Sequence, residues 1–206
     1  MHLRNYKNNI MGLSIHYSGS FNAKASLPAM IEEVKDIVEI YKWEYFVFED
    51  EFPVNSIGKT RYNQNIYGIC FAPPGCETVS LCFLSNGKMS SASNLKFYGN
   101  SKNKEEAKYL YMLSAKTQYA GIEIHKLIIH LLKYVSGKYL KDFTVNDEGD
   151  YWETGDEKLL QNAFKQYTDL IESFASSIEN HPIKSGESFE VYFERLLKQI
   201  HDKHKE

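Results

Sequence analysis

The chain has 206 residues, of which 43% are hydrophobic and 14% aromatic, enough for one well-buried core. Its formal charge of −3 excludes the basic field with which nucleic-acid-binding proteins neutralise phosphates. The first residues contain no apolar run long enough for a signal peptide or a membrane span. We therefore expect a cytoplasmic protein with neither a nucleic-acid nor a membrane partner.

The first half of the chain predicts a strand, a helix and then a series of strands. Residues 12–18 read as a strand, and Ser26 with Pro28 begins a helix whose apolar stripe extends to Tyr41. Short β-branched or aromatic runs then predict strands at 45–48, 66–71, 79–84, 95–98 and 109–117. Asn86-Gly87 predicts a tight hairpin with positive φ at both positions.

The second half predicts three helices and one strand. A wide apolar face from Ala120 predicts a buried helix that ends at Ser136-Gly137. A strand at 140–145 follows, and amphipathic patterns predict helices at about 156–179 and 188–201.

This order predicts an α+β fold, an antiparallel sheet with helices on one face. The first part has the β-α-β(4-5)-α order of the TATA-binding protein, with C-terminal helices added; a helix-grip fold is the alternative. We expect a loose arm at 1–10, a single domain at 11–180, and a C-terminal helix within 181–206 that packs on that domain. The arm is expected because residues 1–10 are polar and patternless.

Cysteines at 70, 76 and 82 are spaced by six residues and lack the C-x-x-C pattern of a zinc site or redox pair. They are expected to be ordinary buried or half-buried thiols. No serine or cysteine lies in a recognisable nucleophile motif, and glycine-rich phosphate-binding motifs are absent. The sequence therefore predicts no cofactor.

Residues 147–157, here called the acidic segment, read DEGDYWETGDE. Thr154 and Glu157 fit a capping box, so Asp156 and Glu157 are expected to serve the start of a helix. The remaining acids do not match a calcium loop, and we expect no metal.

The candidate site combines the acidic segment with the end of the preceding strand. We expect Tyr151 and Trp152 to turn inward, and Lys116 to pair with an acid of the segment. Thr117 or Gln118 is expected to cap the following helix. The residues proposed to form the site are Lys116, Gln118, His125, Asp147, Glu148, Trp152 and Glu153.

His125 alone is weak evidence for chemistry. Its nearest histidine on the same predicted helix is His130, and a zinc pair needs a spacing of three or four rather than five. We therefore expect His125 to be a hydrogen-bonded helix residue rather than a ligand or base.

Three segments together resemble a family of bacterial proteins, a domain of unknown function. They are KTQYA at 116–120, His125 in the following helix, and DEGxYWET at 147–154. The resemblance covers roughly residues 110–165. It implies a bacterial cytoplasmic protein and assigns no activity to any residue.

The leading hypothesis is a non-enzymatic interaction or accessory protein with an unknown protein partner, because no complete catalytic constellation is present. The alternative is a small-molecule or metal-binding enzyme with a site between segments 116–125 and 147–153. A concave pocket into which several of these side chains converge would favour the enzyme.

Overall fold

The computed structural model describes residues 13–203, and the side chains of residues 13–198. The predicted arm at 1–10 lies outside the described residues. The helices are α1 (Leu27–Ile40), α2 (Ala92–Tyr98), α3 (Ile122–Tyr139), α4 (Tyr151–Thr154), α5 (Glu157–Asn180) and α6 (Phe189–Lys203), and a 3-10 helix spans Glu106–Tyr111. The strands are β1 (Ser14–Phe21), β2 (Glu44–Val47), β3 (Ile66–Ala72), β4 (Val79–Leu84), β5 (Leu113–Lys116) and β6 (Leu140–Asp147).

The strands form two small antiparallel sheets, β5-β1-β6 and β2-β3-β4. The Tyr17 hydroxyl joins them, since it donates to the Ser80 carbonyl at 3.1 Å and accepts from the Ser80 N–H at 2.8 Å. Beyond β4, Met89 N–H donates to the Gly19 carbonyl, so the chain after the hairpin continues along β1. The α+β prediction is confirmed, but with two sheets instead of one.

Helix α1 forms as its sequence predicts. Ser26 is the N-cap, with its hydroxyl accepting from Ala29 N–H, and a proline occupies the first turn. Its apolar stripe is buried in the main core, as are most of the large side chains of α3 and β3. After α1, Trp43 stacks on Phe71 of β3 with ring centroids 5.8 Å apart. This stacking fixes the helix to the second sheet.

Residues 95–98 are helical, so the predicted strand there is wrong. Ser91 caps α2 by accepting from Asn94 N–H, and the Asn94 amide donates to the carbonyls of Tyr109 and Met112. The predicted strand 109–117 is likewise shorter, because its first residues belong to the 3-10 helix. Neither the TATA-binding-protein order nor the helix-grip fold is confirmed.

Two turn predictions need correction. The Asn86-Gly87 hairpin forms, with Gly87 N–H donating to the Leu84 carbonyl, but positive φ occurs at Gly87 and not at Asn86. Gly137 does not end α3, which continues to Tyr139. Among the described residues, no helix combines the length and apolar character needed to cross a membrane.

Helix α6 packs against α5, burying Tyr192 and Leu196. The Glu187 carboxylate pairs with the Arg195 guanidinium through two hydrogen bonds, which fastens the connecting loop to α6. The boundaries of the predicted domain stay predictions.

Adjacent leucines of α6 test this packing. Leu196 is fully buried and Leu197 is 59% exposed. Replacing a buried leucine by alanine costs about 2–5 kcal/mol, so Leu196→Ala should sharply lower hydrogen-exchange protection across α6. Leu197→Ala is the matched control and should change that protection little. Equal effects of the two variants would contradict the packing of α6 on α5.

Candidate functional site

The structure brings the two predicted segments together through a buried pair, His125 and Asp147, here called the inner pair. The His125 Nε2 atom lies 3.1 Å from Asp147 Oδ1, and both side chains have zero exposure. On the other side of the ring, Nδ1 lies 2.8 Å from the Thr117 hydroxyl. The contact therefore joins the end of β5, the first turns of α3 and the end of β6.

Backbone groups of the acidic segment surround the Asp147 carboxylate. It accepts hydrogen bonds from the N–H groups of Gly149 at 2.8 Å, Tyr151 at 2.8 Å and Trp152 at 2.9 Å. Burial acts to raise the pKa of Asp147, but the His125 ring and these N–H groups outweigh it, so the pKa lies below its ordinary value. The carboxylate therefore stays charged in a buried position.

The contact between His125 Nε2 and Asp147 Oδ1 is electrostatic more than a well-aligned hydrogen bond. The Nε2 atom has no well-aligned acceptor among the described residues, although Asp147 Oδ1 is close. The Thr117 hydroxyl also lies 3.3 Å from the Leu13 carbonyl, to which it can donate. In that arrangement Nδ1–H donates to Thr117, and a proton on Nε2 as well would make the ring a cation facing Asp147.

Gly149 allows the acidic segment to close over the inner pair. A Cβ at this position would lie 2.5 Å from Leu160 Cδ1 and 3.3 Å from His125 Nε2. A side chain there would force either the buried Leu160 side chain or the turn itself to move. The glycine thus favours close approach, and its φ is not in the left-handed region.

The inner pair fits structural support better than catalysis. Because both side chains have zero exposure, a substrate could not reach them without opening the fold. A catalytic acid or base must come within hydrogen-bond reach of its substrate. The expectation that His125 is a hydrogen-bonded helix residue is consistent with this arrangement.

The neighbouring carboxylate faces the opposite side of the sheet, because side chains alternate along a strand. Glu148 Oε2 accepts from Ser14 N–H at 2.7 Å, and Glu148 Oε1 lies 3.5 Å from His16 Nε2. The hydrogen bond to Glu148 raises the pKa of His16, which burial partly opposes. We call His16 and Glu148 the outer pair.

The outer pair lies on a polar face of the β5-β1-β6 sheet. His16 is opposite Ser114 on one side and Asn146 on the other, while Ser18 is opposite Thr144. A groove of about 660 Å³ covers this face, and Tyr109 and Met112 form part of its edge. It can accept a polar ligand, although its described lining contains no reactive nucleophile beside the histidine.

Lys116 on β5 and Glu148, directly after β6, lie at the same end of this sheet. Lys116 is opposite Ser14, and Glu148 N–H donates to the Ser14 carbonyl. The Lys116 ammonium lies 5.5 Å from the Tyr119 ring centroid, and its backbone N–H donates to Glu77. Its pairing with an acid of the acidic segment stays a prediction.

The other predicted site residues do not converge on the inner pair. Gln118 is half-buried and Glu153 is exposed. Trp152 is also half-buried, packing on Phe143 with ring centroids 5.8 Å apart, and the Lys133 ammonium lies 5.3 Å from its ring. Tyr151 is the residue that turns fully inward.

The capping predictions are wrong in detail. Asp156, rather than Thr154, is the N-cap of α5, accepting from Lys158 N–H and Leu159 N–H. Thr154 ends α4, where its hydroxyl donates to the Asp150 carbonyl. Gly121 is the N-cap of helix α3, and neither Thr117 nor Gln118 is its side-chain cap.

His16 is the site residue that the sequence analysis did not identify. Its available signal is the alternation Ser14, His16, Ser18, which places three polar side chains on one face of β1. Within the described part of the chain, no three His, Cys, Asp or Glu side chains cluster as metal ligands would.

Comparison with known proteins adds no relative: no protein-family model, curated protein or solved structure matches the chain. The resemblance to a bacterial domain of unknown function therefore stays a prediction. The roles of the proposed site residues also stay predictions.

Asp147→Asn tests whether the inner pair stabilises the fold more than the adjacent Glu148 does. The amide that replaces the carboxylate cannot accept from all of its buried N–H groups, and each donor left unsatisfied costs about 1–3 kcal/mol, so the free energy of unfolding at pH 7 should fall by at least about that amount. Glu148→Gln is the matched control, because it alters the next residue in a partly exposed pair worth about 0–1 kcal/mol. Chemical denaturation would measure both variants. An equal loss in the two would contradict the inner pair as the main support.

The same variant has an expected pH dependence. The folded pKa of Asp147 is lowered, so its charge stabilises the fold above the unfolded pKa of about 4 and this contribution is lost as pH falls through the folded value. The stability difference between the natural chain and Asp147→Asn should therefore narrow in acid. A difference that widens below pH ~4 would contradict the lowered pKa.

The outer pair can be tested by NMR titration of the His16 ring. Because Glu148 raises the pKa of His16, Glu148→Gln should move its titration midpoint down towards the ordinary value of about 6.5. Any stability from this charge is present below pH ~6.5 and is lost as pH rises through the raised pKa. An unchanged midpoint would exclude the contact.

Proposed function

We propose that this chain is a bacterial cytoplasmic interaction protein without catalytic activity, and that it binds a helix of its partner on α5 and α6. The observation that carries the proposal is an uncovered apolar surface on these helices. Its six members, here called the apolar ridge, are Ile171, Phe174, Ile178, Phe189, Phe193 and Leu197. Phe189 is 72% and Leu197 59% exposed.

The α5 part of the ridge continues a seam that begins in the core. Leu160 and Phe164 are buried in the main core and Tyr167 packs against it. The spacing of alternating four and three residues then continues through Ile171, Phe174 and Ile178, as in the a and d positions of helices that pack side by side. Ile171 is 41% and Ile178 39% exposed. The seam therefore continues along α5 beyond the part that the core covers.

Helix α6 contributes the other half of the ridge. Phe193 stacks on Phe174 with ring centroids 6.2 Å apart and an interplanar angle of 9°, and Phe189 stacks on Phe193. These contacts place the exposed rings of α6 beside the seam of α5. Two adjacent helices with a shared apolar face form a groove suited to a third helix.

The charges beside the ridge indicate the chemistry of the partner. Residues 171–198, which contain the ridge, have five Glu and no Asp against two Lys and one Arg. Glu172, Glu179, Glu190 and Glu194 are exposed on the two helices. A basic amphipathic helix would place apolar residues on the ridge and cations against these acids, whereas a second copy would bring like charges together.

A small-molecule-binding protein is the second candidate, and the groove beside the outer pair favours it. That groove offers His16, Asn146 and several hydroxyl groups to a polar ligand. The enzyme hypothesis that places catalysis at His125 and Asp147 is disfavoured by their complete burial. A partner helix is preferred because it would cover the apolar ridge, which a small ligand in this groove would leave exposed.

The test measures binding of a synthetic peptide of about 20 residues, with leucine at helical spacing and lysine elsewhere. Anisotropy titrations should show saturable binding by the natural chain, weakened at least about tenfold by Phe189→Asp or Leu197→Asp, since a buried charge opposes docking. Val54→Asp is the matched control, because Val54 is 88% exposed and lies outside the ridge. Its affinity should be unchanged.

Two further peptides and one measurement separate the alternatives. A scrambled leucine-lysine peptide and a leucine-glutamate peptide of the same spacing should bind at least about tenfold more weakly, since they lack the apolar stripe or the complementary charge. Light scattering should give a monomer; a dimer that Leu197→Asp dissociates would assign the ridge to a second copy. Equal binding of all peptides, or no effect of the ridge variants, would overturn the proposal.

A further inference from the structure

Two cysteines lie side by side on one face of the second sheet. Cys70 of β3 is opposite Ser80 of β4, and Cys82 is two residues further along β4. Its side chain therefore faces the same side as Cys70, in a diagonal cross-strand position. Cys82 is buried in a small apolar cluster against which Cys70 packs. The two thiols are therefore neighbours on this face, where the Cys82 S–H can donate to the Cys70 sulfur.

Cys70 also lines a cavity, which gives small molecules access to its sulfur. The cavity has a volume of about 250 Å³, and Cys70 is half-buried beside it. Hydroxyl groups of Ser91 and Ser114 lie among its walls. Such groups can bind the oxygen atoms of a small polar reactant.

The pKa values of the three cysteines differ: that of Cys70 is lowered, and those of Cys76 and Cys82 are raised. The hydrogen bond from Cys82 lowers the pKa of Cys70 to about 7, although burial opposes it. Burial raises the pKa of Cys76 to about 12 and that of Cys82 well above its ordinary value. Thiolates, not thiols, react with peroxides, so Cys70 is the reactive member.

We propose that Cys70 is a site of reversible oxidation by hydroperoxides and that Cys82 completes the reaction as the resolving thiol. The Cys70 thiolate attacks the terminal peroxide oxygen, the O–O bond breaks, and Cys70 becomes a sulfenic acid while hydroxide leaves from hydrogen peroxide, or alkoxide from an organic hydroperoxide. The Cys82 sulfur then attacks the Cys70 sulfur and water leaves, giving a disulfide. The hydroperoxide is the oxidant; each molecule is reduced by two electrons.

The backbone makes this disulfide strained and therefore readily reducible. Diagonal neighbours in a sheet are about 7–8 Å apart, whereas a relaxed disulfide spans about 4.4–6.8 Å between Cα atoms, so β3 and β4 must shift locally along one another. Gly68 lies directly opposite Cys82 and has no side chain to obstruct that movement. A strained disulfide is reduced more easily than a structural one.

The experiment treats the full chain with hydrogen peroxide near pH 7 and maps the products without reduction. All three cysteines lie between Arg61 and Lys88 without an intervening tryptic site. Cleavage after Phe71 and Glu77 is therefore needed to separate them. We expect a Cys70–Cys82 disulfide, two hydrogens lighter than the thiols, and Cys70 oxidation at least about tenfold faster than Cys76 oxidation.

Serine variants separate the two steps. Cys82→Ser should retain a sulfenic acid at Cys70 that dimedone labels, while Cys76→Ser, the matched control, should form the disulfide as the natural chain does. In the unfolded chain the difference in rate between Cys70 and Cys76 should disappear. Preferential oxidation of Cys76, a disulfide involving Cys76, or unreactive Cys70 in the folded chain would overturn the proposal.

Discussion

The buried contact between His125 and Asp147 is the constraint on which the arrangement around β6 depends. A carboxylate with zero exposure must be compensated by nearby donors, and Asp147 has three backbone N–H groups as well as the histidine. Supplying those donors requires the chain to turn back over the carboxylate directly after β6. As a result of this turn, Tyr151 lies in the core and α5 begins beside α3.

This constraint also explains why two adjacent acids differ so much. Strand alternation sends Asp147 inward and Glu148 outward, where it meets Ser14 N–H and His16. The hydrogen bond from Ser14 ties the same turn to β1. Asp147, the last residue of β6, therefore supports the fold, and Glu148 directly after it contributes to a solvent-accessible polar face.

Helices with long apolar periodicity could be predicted from the sequence, and short aromatic segments could not. The apolar stripes of α1, α3, α5 and α6 each extend over several turns. Tertiary contacts therefore did not override the helical preference of these segments. Residues 95–98 read as a strand by composition, yet Ser91 and the contacts of Asn94 make them helical. Local capping and long-range hydrogen bonds outweighed a weak strand propensity there.

The candidate site was predicted in its parts but not in its geometry. The polar strand end suggested Lys116 as a partner of the acidic segment, which stays a prediction, and the pairing of His125 with Asp147, 22 positions away, was not predicted. That contact depends on the register of β6 beside β1, which a single sequence does not reveal. The aromatic pair was predicted only in part: both rings were expected to turn inward, but Tyr151 is buried and Trp152 is half-buried.

The uneven distribution of charge bears on how α5 and α6 are used. Residues 171–198 have five acidic side chains against three Lys and Arg, whereas the rest of the chain has 22 Asp and Glu against 21 Lys and Arg, so the net negative charge is concentrated around the apolar ridge. A ridge left uncovered in water favours association with any apolar surface, whereas exposed carboxylates beside it oppose association with an identical surface. The acids therefore select against self-association while leaving the ridge open to a cationic helix. The same seam buries Leu160 and Phe164 in the core, which holds α5 in place without help from a partner.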